Sequence, residues 1–157
     1  MEIIHATTPK DFSEIVCLFQ EFRDLANFKE CRSELAEEIE TLPGIYALPK
    51  GRLLLVLHDG NAAGCVGLAE LKPGVCEMKH LYVRPKFQGK KLGRKLVETI
   101  IQEAQSIGYS RMRLGTQEML KAAMSIYKSC GFKEIRRYIY QYDPCIEIID
   151  LELDLIQ

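Results

Sequence analysis

Between residues 52 and 83 the hydrophobic pattern changes from one that suits helices to one that suits strands. Three short apolar segments follow one another and are joined by turn sequences rich in Asp, Asn, Pro and Gly. The segments are residues 52–59, 62–72 and 77–83, and the turns are Asp59-Gly60-Asn61 and Pro73-Gly74. Segments and turns of this kind are typical of an antiparallel meander. The sequence therefore predicts three antiparallel strands over residues 52–83.

Helical patterns precede and follow the meander. Thr8 is a typical N-cap and Pro9 a typical first helical residue. The longest apolar stripe ends at Gly108, which is typical of a helix C-terminus. The predicted helices are residues 9–25, 33–42, 92–107 and 118–129, and the further strands are 2–6, 110–116, 132–135 and 145–155. The predicted order is β-α-α-β-β-β-α-β-α-β-β, and a parity change in the last strand predicts a β-bulge there.

Composition limits the class of protein. The chain has 157 residues, of which 47% are apolar and 27% charged, the balance of a single soluble domain over residues 1–157. Neither a membrane span nor a secretory signal is visible, so we expect a cytoplasmic protein. The net charge of −1 argues against broad nucleic-acid binding.

The six cysteines and three histidines show no spacing that is typical of a metal site, so no metal is expected. The cysteines also form no CxxC pair, and we interpret them as reduced thiols of the core. They are Cys17, Cys31, Cys65, Cys76, Cys130 and Cys145.

Residues 86–94, KFQGKKLGR, form a basic turn at the predicted start of the longest helix. Basic residues are unexpected there, because the free N–H groups of a first helical turn already carry partial positive charge. The P-loop pattern fails at Arg84 and Lys91, and GxGxxG lacks a third glycine. Free N–H groups among cations still favour a bound polyphosphate. The alternative is a solvated basic face balanced by Glu98 and Glu103.

The stretch LYVRPKFQGKKLGRKL resembles the central motif of the GNAT superfamily, the acetyl-CoA-dependent N-acyltransferases. In that motif Gln/Arg-x-x-Gly-x-Gly/Ala opens the long central helix, and Gln88, Lys91 and Gly93 stand at its marked positions. AAMSIYKSCGF, residues 122–132, resembles the second family signature, a helix ending in Tyr followed by Gly-Phe. The resemblance implies an α/β (α+β) fold with a mixed, mostly antiparallel, twisted sheet of about seven strands and about four helices on both faces.

The resemblance also implies an N-acetyltransferase that uses acetyl-CoA as cosubstrate. The fourth strand would pair with the pantetheine arm, and the basic turn would hold the pyrophosphate. The implied cofactor-binding residues are Leu81, Tyr82, Val83, Gln88, Gly89, Lys90, Lys91, Leu92, Gly93 and Arg94. Leu120 replaces an asparagine that many members carry, and no role is assigned to it.

Lys91 departs from the family pattern, which has glycine at this position. A residue in a first helical turn has φ of about −60°, which lysine adopts easily. We therefore expect the Lys91 N–H to face the pyrophosphate and the side chain to turn aside. Lys91→Gly should then change CoA affinity little, whereas Lys91→Pro, which removes the N–H, should weaken it.

Glu77 is the candidate general base for direct attack of an amine on the thioester. It lies eleven residues before Gln88, where it resembles the general-base glutamate of some histone-acetylating members. Strand alternation predicts that Glu77, Lys79, Leu81 and Val83 share one face. The alternative is a solvated strand glutamate paired with Lys79 or His80.

Tyr127 is the candidate acid, because a phenol can protonate a leaving thiolate. The alternative is a core aromatic whose hydroxyl bonds to the backbone. The expected oxyanion donor is the main-chain N–H of Leu81 or Val83. A competing mechanism would use Cys76 or Cys130 as nucleophile, although no pattern couples either to a base.

The acceptor side is the least patterned part of the chain. By resemblance it lies near residues 25–31 and the last two strands. Tyr138, Tyr140 and Tyr142 alternate along one face, where they would line a small pocket or equally pack against the sheet. The acceptor is expected to be a small-molecule or peptide amine, and a homodimer is left open. A non-catalytic acyl-CoA-binding or sensing module is the alternative function.

Overall fold

Seven strands form one sheet in the computed structural model of the protein, which describes residues 1–26, 32–141 and 146–156. The strands are β1 (Glu2–His5), β2 (Arg52–His58), β3 (Asn61–Lys72), β4 (Val75–Val83), β5 (Arg111–Thr116), β6 (Lys133–Ile139) and β7 (Glu147–Asp154). Their order across the sheet is β1-β2-β3-β4-β5-β7-β6. All neighbours are antiparallel except β4 and β5, which are parallel. The predicted element order and mixed sheet are confirmed.

Helices α1 (Pro9–Ala26), α2 (Arg32–Glu40), α3 (Leu92–Ile107) and α4 (Lys121–Ser129) complete the fold. α1 begins where the sequence predicts, because Thr8 Oγ1 accepts the Asp11 N–H at 3.1 Å and Asp11 Oδ2 accepts the Thr8 N–H at 3.1 Å. α3 ends as predicted at Gly108, whose φ is 106°. None of the helices in the described ranges is long and apolar enough to cross a membrane.

The sheet is buried on both faces, which explains why β2 and β3 read as nearly continuous apolar runs. Helices α3 and α4 cover one face, where Leu54 and Ile100 are fully buried. Helices α1 and α2 cover the other, where Leu55 and Phe19 are buried. Neighbouring residues of β2 therefore enter different cores, and no polar face is needed.

The β-bulge predicted in the last strand is wrong. The β5–β7 register is continuous, and the irregularity lies in β6, where Ile135 is inserted between the residues that face Leu151 and Asp150. Ile148 and Ile149 are both buried although they face opposite sides of β7. The parity change in the sequence reflects this two-sided burial.

The interpretation of all cysteines as core thiols holds for part of the set. Cys65 and Cys76 are buried and unpaired, Cys130 is half-buried, and Cys17 is exposed on α1. Cys17 lies on the solvent side of the amphipathic helix, a position that cysteine content alone does not reveal. Cys31 and Cys145 lie outside the described residues.

Candidate active site

β4 and β5 run together for only a short distance and then diverge. They pair at Val75↔Arg111, Cys76↔Met112 and Glu77↔Arg113, and no later pair joins them in the part of the chain that the structure describes. A cleft of about 1030 Å³ opens at this point between the two strands and the ends of α2, α3 and α4. β4 therefore presents an unpaired edge over residues 78–83, which we call the open edge.

A bulge in β4 changes which side chains reach the cleft from each face. His80 has φ 57°, and His80 and Leu81 together lie opposite one residue of β3, between the pairs Gly67↔Lys79 and Cys65↔Tyr82. A positive φ at a non-glycine residue within a strand is uncommon and marks this irregularity. The alternation of side chains between the two faces of β4 therefore shifts by one residue at His80.

The bulge makes the predicted common face of β4 wrong. Glu77 and Lys79 point toward α2, where Lys79 contacts Glu38. Beyond the bulge, Leu81 and Val83 pack against the core under α3 instead. The extra residue shifts the side-chain alternation by one, so strict alternation does not carry across it.

The main chain of Val83 is nevertheless directed toward the cleft. The Arg84 N–H donates to Ala63 of β3 at 2.8 Å. Because consecutive N–H groups of an extended strand point to opposite edges, the Val83 N–H points away from β3. It lies on the open edge, where the sequence predicts an oxyanion donor. Leu81 belongs to the bulge, so the same alternation does not fix the direction of its N–H.

The basic turn presents a row of backbone donors. The Gln88 N–H donates to Pro85, the Lys95 N–H donates to Lys91, and between them the N–H groups of residues 89–94 make no hydrogen bond of normal geometry with another described residue. Gly89 supports this turn through its φ of 80°, a left-handed angle that side chains rarely adopt. No neighbouring atom would obstruct a Cβ there, so the backbone angle and not the available space favours glycine. A row of free N–H groups of this kind favours an anion.

The predicted backbone angle of Lys91 is wrong. Lys91 is the N-cap of α3, with φ 64° and ψ 19°, and the first helical residue is Leu92. Lysine pays a steric cost in this left-handed region, so the glycine of the family pattern has a conformational reason. Lys91→Pro would therefore reshape the turn as well as remove the N–H, because proline cannot adopt this angle.

The predicted cofactor-binding residues all line the cleft except Lys90. The Gln88 side chain donates to the Val83 carbonyl at 3.0 Å and so fixes the turn to the end of β4. Arg94 donates to Ser129 Oγ at 2.8 Å. Gly93 packs close to α4, because a Cβ there would lie 3.3 Å from Ile126 Cδ1.

Glu77 and Tyr127 both line this cleft. The Glu77 side chain is 34% exposed, and Lys79 Nζ lies 3.8 Å from its Oε1. Burial raises the pKa of Glu77 above its ordinary value, although the charge of Lys79 opposes the shift. This carboxylate is thus a better base than a solvated glutamate.

The Tyr127 hydroxyl lies at the cleft without a hydrogen-bond partner among the described residues. Tyr127 is 6% exposed, its ring lies edge-on to Phe132 at 5.7 Å, and its hydroxyl bonds to no described residue. The predicted alternative, a hydroxyl bonded to the backbone, does not match this arrangement. Burial raises the pKa of Tyr127, so the phenol is neutral at physiological pH.

Residues 16–132 match the family model described as the acetyltransferase (GNAT) family. The chain belongs to the acetyltransferase (GNAT) family. It is 39% identical to an uncharacterized N-acetyltransferase of Schizosaccharomyces pombe, over 92% of this chain and 90% of the relative. The family predicted from the two motifs is confirmed, and with it an acyltransferase at the level of the family.

Solved structures show the same GNAT fold. A Staphylococcus aureus GNAT-family acetyltransferase superposes with a TM-score of 0.82 at 21% identity, covering 99% of both chains. The Salmonella typhimurium protein yncA, solved with its cofactor acetyl-CoA, gives a TM-score of 0.77 at 20% identity and covers 100% of this chain and 95% of its own. The predicted fold class is confirmed.

In this GNAT-family chain the predicted alternative of a cysteine nucleophile has little support. Cys76 and Cys130 are absent from the residues that line the cleft. Burial raises the pKa of Cys76 to about 12, so its thiol is protonated at neutral pH. Its Sγ lies 3.5 Å from the Arg111 carbonyl, a contact that suits a structural thiol.

Three of the residues predicted for the acceptor side line the GNAT cleft. They are Leu25, Tyr138 and Tyr140, and for the two tyrosines this corresponds to the pocket alternative of the prediction. Tyr142 and residues 27–31, which belong to the same prediction, lie outside the described residues. No three His, Cys, Asp or Glu side chains of the described ranges are arranged to hold a metal ion.

Sequence reasoning missed Glu38, which lies on α2 and lines the cleft. It accepts a hydrogen bond from the Tyr46 hydroxyl, contacts His80 Nε2 at 3.0 Å and pairs with Lys79 Nζ at 3.0 Å. Burial opposes its charge, but the contacts with His80, Tyr46 and Lys79 lower the pKa of Glu38 to about 2. No local signal distinguishes Glu38 from the other glutamates of α2.

Proposed function

We propose that the protein transfers the acetyl group of acetyl-CoA to a primary amine by direct attack. The observation that carries this proposal is that one cleft brings together the free N–H row of residues 89–94, the open edge of β4, and the side chains of Glu77 and Tyr127. These are the groups that a CoA thioester and an amine require.

The two ends of the cleft fit the two parts of the donor. The N–H groups of residues 89–94, with the cations of the basic turn, suit the pyrophosphate of CoA. The open edge of β4 suits the pantetheine arm, whose amides can pair with main chain as an added strand does. Acetyl-CoA, when bound, supplies an activated carbonyl at the end of that arm.

Glu77 has the role of general base. An alkyl amine is mostly an ammonium ion at neutral pH and must lose a proton before it can attack. The Glu77 carboxylate is partly exposed to the cleft, and its raised pKa makes it a stronger proton acceptor. It takes this proton directly or through a water molecule.

The main chain stabilises the negative charge that develops on the carbonyl oxygen, and Tyr127 protonates the leaving sulfur. The N–H of Leu81 or Val83 donates to the carbonyl oxygen as it gains negative charge. As the C–N bond forms and the C–S bond breaks, the electron pair moves to sulfur, and the Tyr127 hydroxyl donates its proton there. The acylated nitrogen then loses its second proton, which restores the Tyr127 phenol, and Glu77 releases the first proton to solvent. The products are the acetylated amine and free CoA thiol.

The test is acetyl-CoA-dependent thiol release across a library of primary amines. Wild type should release thiol with at least one amine class. Glu77→Gln and Tyr127→Phe should each lower kcat/KM by about a hundredfold or more. Glu37→Gln and Tyr109→Phe are matched controls outside the cleft and should retain wild-type rates.

Two outcomes would contradict the proposal in different ways. Full rates in Glu77→Gln and Tyr127→Phe would refute the assigned base and acid. Binding of acetyl-CoA without thiol release for any amine would favour the acyl-CoA-binding module over the enzyme.

A further inference from the structure

A buried ion pair lies beside the candidate base and comes from a different element. Lys79 Nζ is 3.0 Å from Glu38 Oε2 and 3.8 Å from Glu77 Oε1, so one ammonium lies between two carboxylates. The Glu38 side chain is 12% exposed and that of Lys79 is 25% exposed. The pair therefore places charge inside the cleft.

Glu38 is held in place from the side away from Lys79. Its Oε1 accepts the Tyr46 hydroxyl and contacts His80 Nε2 at 3.0 Å. The His80 ring is itself stacked on Phe19, with ring centroids 4.1 Å apart. Because these groups are fixed, Glu38 can hold the Lys79 ammonium in one position.

Stability alone is a weak explanation for such a pair. Desolvation of two charges offsets most of their attraction, so a buried salt bridge often contributes little net stability. The pair does, however, decide how strongly Lys79 stabilises the charged form of Glu77. The shorter distance to Glu38 means that Lys79 is engaged mainly there and only weakly by Glu77.

We propose that Glu38 and Lys79 are positioning residues for the base: Glu38 holds the Lys79 ammonium away from Glu77 and so keeps Glu77 able to accept a proton from the amine. This inference rests on the proposed role of Glu77. It links α2, through Lys79, to the chemistry at β4. Neither residue needs to touch the reacting atoms.

The pair also sets the charge that an incoming amine meets. Glu38, Lys79 and Glu77 together carry a net charge of −1, which favours an acceptor that arrives as an ammonium ion. Neutralising Glu38 would remove this net charge.

Other charged and titratable groups facing Glu77 come from the surrounding elements. They are Lys79 and His80 of β4, Glu38 of α2, Asp150 of β7, and Tyr46 of the turn after α2. Asp150 is paired with Arg136 of β6, which reduces its own influence. Changes at Glu38 and Lys79 should therefore dominate the response of Glu77.

The test is an NMR titration of the Glu77 side-chain carboxyl carbon in the protein without ligands. In Glu38→Gln the carboxylate nearest to Lys79 is lost, and Glu77 is the other one within 4 Å of Lys79 Nζ among the described residues, so the Glu77 pKa should fall below the wild-type value. In Lys79→Met the nearby cation is gone and the Glu77 pKa should rise. The double variant should return it toward wild type, and Glu37→Gln, one residue away on the exposed side of α2, should leave it unchanged.

The opposite signs make the test independent of simple loss of structure. Shifts of the same sign in the two single variants, or no shift in either, would overturn the inference. If Glu38→Gln fails to fold, Lys79→Met and the conservative Lys79→Arg still test the inference. Lys79→Met should raise the Glu77 pKa, whereas Lys79→Arg should leave it near the wild-type value.

Activity supplies a second reading that separates this inference from the proposed function. The acid limb of the kcat/KM profile should move to lower pH in Glu38→Gln and to higher pH in Lys79→Met. If wild type releases thiol but the Glu77 pKa does not change in the variants, the positioning role is refuted and the proposed enzymatic function stands. A titration response without thiol release from any amine would leave the charge coupling intact and refute the enzyme.

Discussion

Thr116→Val should stabilise the protein. Thr116 is 2% exposed at the end of β5, and its Oγ1 is fully shielded from solvent and has no hydrogen-bond partner among the described residues, as is also true of Gln117 Nε2. A buried hydroxyl without a partner costs about 1–3 kcal/mol. Valine has nearly the same shape, so its methyl group fills the space without a cavity and removes that cost.

The expected gain is about 1 kcal/mol in the free energy of unfolding, at the lower end of that range because β5 can relax locally. For a chain of this length it corresponds to a rise in Tm of about 2–4 °C. Urea unfolding followed by far-UV circular dichroism measures it, since the chain contains no tryptophan. The slope of free energy against urea should not change.

Thr99→Val is the matched control. Thr99 Oγ1 donates to the Lys95 carbonyl at 2.7 Å on α3, so the same substitution removes a hydrogen bond there. It should leave stability unchanged or lower it by up to about 1 kcal/mol. A loss of stability in Thr116→Val would refute the reasoning, because it would mean that the hydroxyl is satisfied, for example by a buried water molecule.

Four further outcomes follow from the geometry of the site. Tyr127→Phe should leave the free energy of unfolding within about 0.5 kcal/mol of wild type in urea titrations, because its hydroxyl bonds to none of the residues that the structure describes. Lys91→Gly should raise that free energy by up to about 1 kcal/mol by relieving the left-handed φ, and calorimetry should find CoA affinity little changed because the N–H remains. The kcat/KM of wild type should fall as pH drops through the raised pKa of Glu77, and steady-state rates of Glu77→Gln should lack this limb. The free energy of unfolding should fall as the pH drops from about 5 to 2, because the pKa of Glu38 is about 2 in the folded protein and near its ordinary value in the unfolded chain. In equilibrium unfolding experiments, Glu38→Gln should show a smaller decrease in this free energy over the same pH range.

Much of the fold could be predicted because it depends on signals that act locally. The apolar stripe of α3, the Thr8-Pro9 start of α1 and the turns of the meander each determine a short stretch whatever surrounds it. The two family motifs then placed the basic turn, Glu77 and Tyr127, and the structure brings these into one cleft.

What could not be predicted depends on contacts distant in sequence or on single backbone angles. No glycine or proline marks the positive φ of His80 in the sequence. Regular alternation of side chains is therefore predicted along the whole of β4, whereas the bulge at His80 shifts that alternation by one residue. A lysine gives no sign of a left-handed backbone angle, so the sequence predicts an ordinary helical φ at Lys91, whereas the structure has 64°. Glu38 lies 39 residues before Glu77 and reads as another polar residue of an amphipathic helix until the fold places α2 beside β4.

The divergence of β4 from β5 also affects the tendency of the protein to aggregate through strand pairing with other chains. Unpaired strand edges invite intermolecular pairing, and most proteins must blunt the edges at the rim of a sheet. Here the unpaired main chain of residues 78–83 lies in the middle of the sheet, walled by helices on both faces. A slender flexible ligand can enter and complete the hydrogen bonding, whereas a whole strand of another folded protein is too bulky to approach. The protein can thus keep a reactive backbone edge available without the aggregation risk that such an edge carries elsewhere.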